Sequence, residues 1–462
     1  MDVSQNKLRK AEVVVVGGGT SGAIAAVASA RNGAETLIVE SNGFLGGTAT
    51  FGYPFLGFFN GRGEQVVSGL PQEVVDRLVR LGASPGHMRG GTWSTPEKPM
   101  TYEFSLTPYD PEILKYVLLL MAEESGVRFL FHATLTGAVV ENGVLKEIDV
   151  YTKSGPIRIL GKIFVDGTGD ADLAALAGTP FELGSKEGRL QNVSLHFRIT
   201  NVDAEKMVEA LKKENRFLGR DSWYIRLVRG KGPGKEPDHF IHIAGHMVPW
   251  DNPTSRPPLT FTAVAQREGE YWFNMTRTVG VDPTNVDDLT RAEILERKNV
   301  IEVSRLMIKN VPGFEKAYLS GTSPRVGIRE SRRVIGEYVL TTEDVLSCRR
   351  FEDGIALGAY PIDIHDPKGG KTQFSFLREG GSYNIPYRCM VPLHRENLLI
   401  AGKNISATHE AIGTTRLQPA VMAIGQAAGT AAAMAAKLDV SPRKLDPVAL
   451  RKRLKKQGAL VG

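Results

Sequence analysis

The sequence predicts an α/β fold: a parallel, nucleotide-binding sheet, interrupted by an inserted α+β region whose own sheet is mainly antiparallel. Three observations lead there. EVVVV, over 12–16, is a short β-branched run that leads into Gly17-Gly18-Gly19-Thr20-Ser21-Gly22 and then into a helix of small residues. A second strand-then-glycine segment, FVDGTGD, occurs over 164–170. Between about 185 and 345 the pattern changes to alternation, as in LQNVSLHFRIT over 190–200, which is the period of a strand with one buried face.

The first segment places Gly17, Gly19 and Gly22 in the register G-x-G-x-x-G. Gly17 allows a tight turn off the strand. Gly19 presents no side chain to an approaching pyrophosphate, and Gly22 lets the helix pack close to the sheet. Thr20 and Ser21 open the helix, whose free N–H groups and positive dipole end attract phosphate. The helix stops near Asn32-Gly33, and a second strand, TLIVE, ends at Glu40. An acid at that distance can accept hydrogen bonds from both ribose hydroxyls, and its charge disfavours a 2′-phosphate.

Composition narrows the classes. The 462 residues are 42% hydrophobic and 23% charged, which fits a globular chain of two to four domains and excludes global disorder. Fifty glycines exceed the usual share of roughly 7% and suit close backbone approaches. Two cysteines, Cys348 and Cys389, exclude a disulfide scaffold and point to a reducing, cytoplasmic compartment. No run approaches 18 uninterrupted apolar residues, so no membrane span is expected. MDVSQNKLRKAE at the start lacks the apolar core of a signal peptide. The net charge of +6 sits in Ser441–Gly462, which hold seven Lys/Arg against one acid. That stretch reads as the solvated face of a short helix with Asp446 as N-cap and Pro447 in its first turn; without interleaved aromatics it predicts no nucleic-acid partner.

Soon after Glu40 come Ser41 and Gly46-Gly47-Thr48, followed by 51–110, which reads as an irregular aromatic insertion instead of a further β-α unit. Phe51, Tyr53, Phe55, Phe58, Phe59 and Trp93 there are expected to be core, and would suit a ring-shaped ligand. Here the chain resembles the FAD-dependent oxidoreductases of the glutathione-reductase superfamily, and most closely a bacterial FAD-dependent oxidoreductase family. The resemblance spans nearly the whole chain. It rests on VVVVGGGTSGAIAA, ESNGFLGGTAT, FVDGTGDADLAALAG, SPRVGIRESRRVIGEYVLT and NLLIAGKNISATHEAIGTTRLQPAVMAIGQAAGTAAA. It implies non-covalent FAD held by Gly17, Gly19, Thr20, Ser21, Gly22, Glu40, Ser41, Gly46, Gly47 and Thr48. It also implies contacts from Leu135 near the adenine, from Gly169 and Asp170, from Gly402, and from Gln418 and Ala420. Those last two open a helix, roughly Pro419–Lys437, whose positive end would face the flavin pyrimidine edge.

The 164–170 segment lacks the third glycine and no acid-tipped strand follows, so no second, NAD-binding unit is expected. Cys348 and Cys389 are too far apart for a C-x-x-C redox pair. The resulting division is an FAD-binding part over 1–184, a substrate domain over 185–345, and a return to the FAD-binding part over 346–462.

For chemistry, His409 and Arg416, in SATHEAIGTTR, are the leading catalytic candidates. Fumarate reductases and succinate dehydrogenases carry a His and an Arg in a comparable segment, although the spacing differs. Arg329, Tyr387 and Asn274 are candidates for the substrate. Arg325, Arg332 and Arg333, crowded with Glu330, read as ion pairs at a helix start; Asp363 and His365 read as ordering a turn. His239, His242 and His246 lie in a stretch read as loops and short strands, and no metal is expected. The function so implied is hydride transfer between a small organic substrate and flavin N5, with direction, electron partner and oligomeric state open. The alternatives are a flavin monooxygenase (whose usual Asp-Gly pair before the last helix is missing), a tRNA-modifying flavoprotein, and a non-catalytic flavoprotein scaffold.

Overall fold

The computed structural model describes residues 9–95, 98–213, 225–231, 237–246, 260–267, 269–369 and 372–462. In chain order, the elements that position the site begin with β1 (Arg9–Val16), α1 (Thr20–Arg31), β2 (Thr36–Val39), α2 (Pro111–Glu124) and β3 (Arg128–Leu130). Next come β4 (Thr134–Glu141), β5 (Val144–Thr152), β6 (Gly155–Asp166), β7 (Phe197–Thr200), β8 (Ile225–Lys231), β9 (Pro237–His246) and β10 (Thr260–Arg267). Last are β11 (Glu270–Phe273), α3 (Val286–Asn310), β12 (Tyr318–Thr322), β13 (Leu398–Ile400), α4 (Gln418–Leu438) and α5 (Pro447–Lys456).

The first sheet has the order β3-β2-β1-β6-β5-β4, with β13 also pairing β6. β3, β2, β1, β6 and β13 run parallel. Register fixes the site: Val16 is opposite both Val39 and Asp166, and Ile400 is opposite Asp166. Four strand ends therefore finish level, and Gly17, Glu40, Gly167 and Ala401 meet at one edge. Ligands of parallel sheets bind outside such carboxyl ends. β4 and β5 form a hairpin that turns at Asn142-Gly143, both with positive φ.

α1 and α4 pack face to face on this sheet, and both are built of small residues. A Cβ on Gly425 would run into the Ser21 carbonyl, and one on Gly429 into the Ala25 carbonyl. α4 is long and apolar enough by composition to cross a bilayer, yet most of it is buried inside the protein, so it serves here as a core helix. α5 starts as expected, with the Asp446 carboxylate accepting from Val448 N and Ala449 N, and buries Leu450 and Leu454.

The second sheet is antiparallel throughout, in the order β8-β9-β10-β11-β7-β12. It has its own apolar core, including Phe197, Phe273, Phe314, Val300 and Met307, separate from the core made by the first sheet and its helices.

Several sequence expectations need correction. The stretch over 230–260, read as loops and short strands, includes among its described residues the ten-residue strand β9, longer than expected, which carries His239, His242 and His246. Among the described residues no group of three His, Cys, Asp or Glu could hold a metal. β11 ends at Phe273, so the substrate candidate Asn274 lies just beyond the strand. Residues 325–333 start no helix; Arg332–Val334 is a strand paired with Phe181–Leu183. The region 51–110 is not irregular. It contains a helix, Leu70–Arg80, with Leu70, Val74, Val75 and Leu78 buried on one face, and the hairpin Met88–Thr95/Lys98–Thr107. Phe51, Phe55 and Phe58 there are fully buried core.

Candidate functional site

At the level strand ends the glycine loop is packed backbone to backbone. Gly17, at φ +90°, would place a Cβ 2.7 Å from the Gly167 carbonyl carbon, and a Cβ on Gly22 would strike the Gly17 carbonyl. Gly19 differs: a Cβ there meets nothing nearer than Gly167 O at 3.7 Å. Its face is open, as a pyrophosphate requires. Gly19 is also the N-cap of α1, and no side chain caps that end or places an acid in the first turn. The first N–H groups of α1 are left for an anion. The chain thus fits the phosphate end of a dinucleotide.

Glu40 stands beside this loop and is nearly inaccessible at 6% exposed. Its Oε2 accepts from Gly18 N at 2.6 Å, and its Oε1 accepts from Ser41 Oγ, Asn42 N and Asn42 Nδ2. Gly46 N donates to Gly18 O at 2.8 Å and Thr20 Oγ1 donates to Gly46 O at 3.0 Å, so Gly46-Gly47 folds over the loop. Ser21 Oγ donates to Ala401 O at 2.7 Å, beside Gly402 at φ +134°. Leu135, half-buried on β4, pairs with Val150. Asp170 is engaged elsewhere: its Oδ1 accepts from Lys403 Nζ at 2.5 Å and Ser331 Oγ at 2.6 Å. Burial would raise its carboxyl, but Lys403 and Ser331 outweigh that and hold it below the usual range. Gly169 gives its carbonyl to the same Lys403.

From Gly47 the site continues along Thr48–Phe51 to the start of α4. Leu417 caps α4 with no side-chain hydrogen bond, and the first turn carries no acid, so a second positive helix end is free. Gln418 Nε2 reaches Thr48 O at 3.5 Å, and Tyr109 hydroxyl donates to Ala49 O at 2.5 Å. Ala420 is buried in the first turn.

From here the second sheet takes over. His196, on the approach to β7, shares a hydrogen bond of 3.0 Å between its Nδ1 and Phe51 O. Beyond it three arginines gather. Arg277 Nη1 donates to Ser194 Oγ at 3.0 Å and Asn274 Oδ1 at 2.9 Å. Arg329 uses the same two acceptors, Ser194 Oγ at 2.8 Å and Asn274 Oδ1 at 3.4 Å. Arg416 Nη2 donates to Asp363 O at 2.9 Å and stands 3.6 Å from Asp363 Oδ2. Burial, followed by Arg277 and Arg416, pushes the Arg329 guanidinium well below its usual range, and burial lowers Arg277. Burial and then Arg329 push His196 and His365 down to about 3. Burial alone would raise Asp363; His365, Arg416 and Arg329 outweigh it and hold the carboxyl at about 2.

Of the sequence candidates, Arg329, Arg416 and Asn274 meet here. His409 is a neighbour: its Nδ1 lies 2.7 Å from Glu330 Oε1, and Glu330 Oε2 accepts from Gln191 N, whose side-chain Oε1 accepts from His365 N. Tyr387 does not join them. It is buried in the first core, and its hydroxyl donates to Pro442 O at 2.9 Å, a structural role. Asp363 and His365 line the cluster, with Asp363 on a short strand, Ile362–Ile364. Arg277, His196 and Gln191 were missed. The only sequence signal for Arg277 was a charge inside the apolar run YWFNMTRTV.

With this geometry established, comparison with known proteins defines the class. Residues 12–454 match the family described as FAD dependent oxidoreductase, and the chain belongs to that family. It is an FAD-dependent oxidoreductase enzyme, and FAD is its cofactor. No curated protein matches the sequence. Solved structures with a similar fold include a geranylgeranyl bacteriochlorophyll reductase-like protein from Thermoplasma acidophilum, at 14% identity and a TM-score of 0.44, covering 98% of this chain and 85% of that one. A flavin-dependent brominase is similar at 11% identity and a TM-score of 0.48, covering 97% of this chain and 83% of that one. A p-nitrophenol 4-monooxygenase from Pseudomonas putida DLL-E4 is similar at 11% identity and a TM-score of 0.43, covering 98% and 87%.

Proposed function

We propose that this enzyme transfers a hydride between flavin N5 and a small organic molecule held between the Gly46–Phe51 segment and the second sheet. FAD, when bound, supplies the redox centre. One observation carries the reading. The uncapped end of α4 and the Thr48–Phe51 backbone lie side by side, and Phe51 O is bonded directly to His196 in a half-buried polar cluster. The α4 end stabilises negative charge on the reduced cofactor. The cluster orients the substrate and, being half-buried, limits water. His409 is the group that moves the companion proton. Glu330 fixes its Nδ1 side, so Nε2 is the atom that takes or gives the proton.

Anaerobic addition of candidate substrates to the yellow enzyme tests this. A substrate that bleaches the oxidised flavin bands, without NADH or NADPH, supports hydride transfer from substrate. Bleaching only by NADH or NADPH, followed by oxygen uptake and hydroxylation, would overturn it in favour of a monooxygenase. His409→Gln should keep FAD and lower kcat by roughly 10²-fold, with the pH limb of the proton carrier lost.

A further inference from the structure

We propose that the polar cluster around Gln191, Asp363 and Arg416 recognises a polyhydroxylated ring, so that the substrate is a sugar or cyclic polyol oxidised at a hydroxyl-bearing carbon. This rests on the oxidoreductase reading for its place beside the cofactor, and adds what the site takes.

The protein itself nearly balances the charge of the cluster. Arg277, Arg329 and Arg416 meet two carboxylates. Asp363 lies against Arg416 and acts on Arg329. Glu296 acts on Arg277, and its own hydrogen bonds come from neutral groups, the Thr276 and Thr278 hydroxyls and the Leu195 N–H. Glu330 is neutralised by Arg333, and His196 and His365 are uncharged near pH 7. Three positive charges against two negative leave one, and the Tyr53 hydroxyl acts on both Arg277 and Arg329. The cluster is therefore not built around a multiply charged ligand.

What the protein leaves open is hydrogen bonding, of both kinds. Among the described residues, Gln191 Nε2 and Arg416 Nε are buried donors without a partner, and Asn192 Oδ1 and Asp363 Oδ1 are buried acceptors without one. Gln191 is 2% exposed and Asn192 4%. These groups are neighbours. Gln191 Oε1 accepts from His365 N, and Asp363 Oδ1 stands 3.5 Å from His365 Nε2. Arg416 Nη2 donates to Asp363 O, and Asn192 O accepts from Arg329 Nη1 at 2.9 Å. A buried polar atom without a partner costs about 1–3 kcal/mol, so several together mark a ligand site. A carboxylate answers only the donors, because it only accepts, and an apolar molecule answers neither. A hydroxyl donates and accepts at once, and several on one ring answer both kinds.

An aromatic ring borders the same group. Tyr53 is half-buried, 5.8 Å from the His196 ring, and it packs on the same small apolar cluster as Leu417, the cap of α4. The C–H face of a sugar ring packs on such an aromatic face. In the oxidation, the carbinol hydrogen leaves as hydride to flavin N5, the hydroxyl proton passes to His409 Nε2, and a C=O bond forms; FAD is the oxidant and is reduced.

The test uses the FAD-loaded enzyme without oxygen. Calorimetry reads binding and flavin absorbance reads reduction, for myo-inositol, glucose, galactose and their methyl glycosides, with cyclohexanol and succinate as comparison. At least one polyol should bind tenfold or more tighter than cyclohexanol and than succinate. Gln191→Met, which keeps the shape and removes the open donor, should weaken that binding by roughly 10-fold while FAD content is unchanged. Should it fail to fold, Arg416→Lys, which keeps the charge and removes Nε, should show the same direction. Cyclohexanol or succinate binding as tightly as every polyol would overturn the proposal, as would unaltered polyol binding in a folded, FAD-loaded Gln191→Met. The two readings separate. A polyol that binds tightly to an enzyme no substrate can bleach leaves the recognition site standing and removes hydride transfer. Bleaching by a substrate without hydroxyl groups, with no polyol binding, does the reverse.

Discussion

Glu296 illustrates how one residue can set a site it does not touch. It sits on α3 and is fully buried. Its carboxylate accepts from the Thr276 and Thr278 hydroxyls and from Leu195 N. Thr276 and Thr278 flank Arg277, so gripping both from one side leaves Arg277 to reach Ser194 and Asn274 on the other. Glu296→Gln should therefore leave FAD binding intact and lower stability by about 1–3 kcal/mol; FAD content and thermal melts of the same sample check both. At this scale the glycine loop and Glu40 were legible because backbone geometry leaves few alternatives. Arg277 was not, since an arginine after a strand has no spacing rule. Tyr387 looked eligible because sequence cannot show that Pro442, far along the chain, takes its hydroxyl bond.

Among elements, the pairing of α1 with α4 matters most. Both start at the nucleotide site, and both approach so closely that Gly425 and Gly429 meet carbonyls of α1. Gly429→Ala should force the helices apart, cost about 1–3 kcal/mol, and raise the FAD dissociation constant, because both positive helix ends move together. Melting temperature and FAD release measure the two effects. The run of small residues made this helix legible from sequence. The length of β9 was not, because proline, glycine and histidine there read as loops and short strands while pairing with β8 and β10 extends it to ten residues. The helix at Leu70–Arg80 was hidden by the aromatic stretch before it.

For the whole molecule, three histidines held neutral shape the response to acid. Burial pushes His87 to about 4, and burial with nearby arginine pushes His196 and His365 to about 3. Below the unfolded value of about 6.5 the unfolded chain takes up protons that the folded chain refuses, so stability falls as pH drops from there. Asp166, pushed by burial up to about 6, and Asp172, raised by burial and by Asp170, act the other way, and Asp363, held at about 2, adds its own loss only below about 3.8. With three buried rings against two raised carboxyls, melting temperature should fall between pH 7 and pH 5, before ordinary carboxylates titrate. A flat profile there would show that these rings are protonated in the folded state. The two-sheet architecture was legible as a change of period along the chain. The meeting of the two sheets at His196 and Phe51 was not, because it joins residues whose patterns carry no reference to each other.

The most direct test is anaerobic addition of candidate organic substrates to the FAD-loaded enzyme, in the native protein and in His409→Gln, with flavin absorbance as the readout. The account predicts bleaching of the native enzyme without NADH or NADPH, slowed by roughly 10²-fold in the variant. Bleaching of the native enzyme by NADH or NADPH alone, or a variant that bleaches at the native rate with its FAD in place, would contradict it.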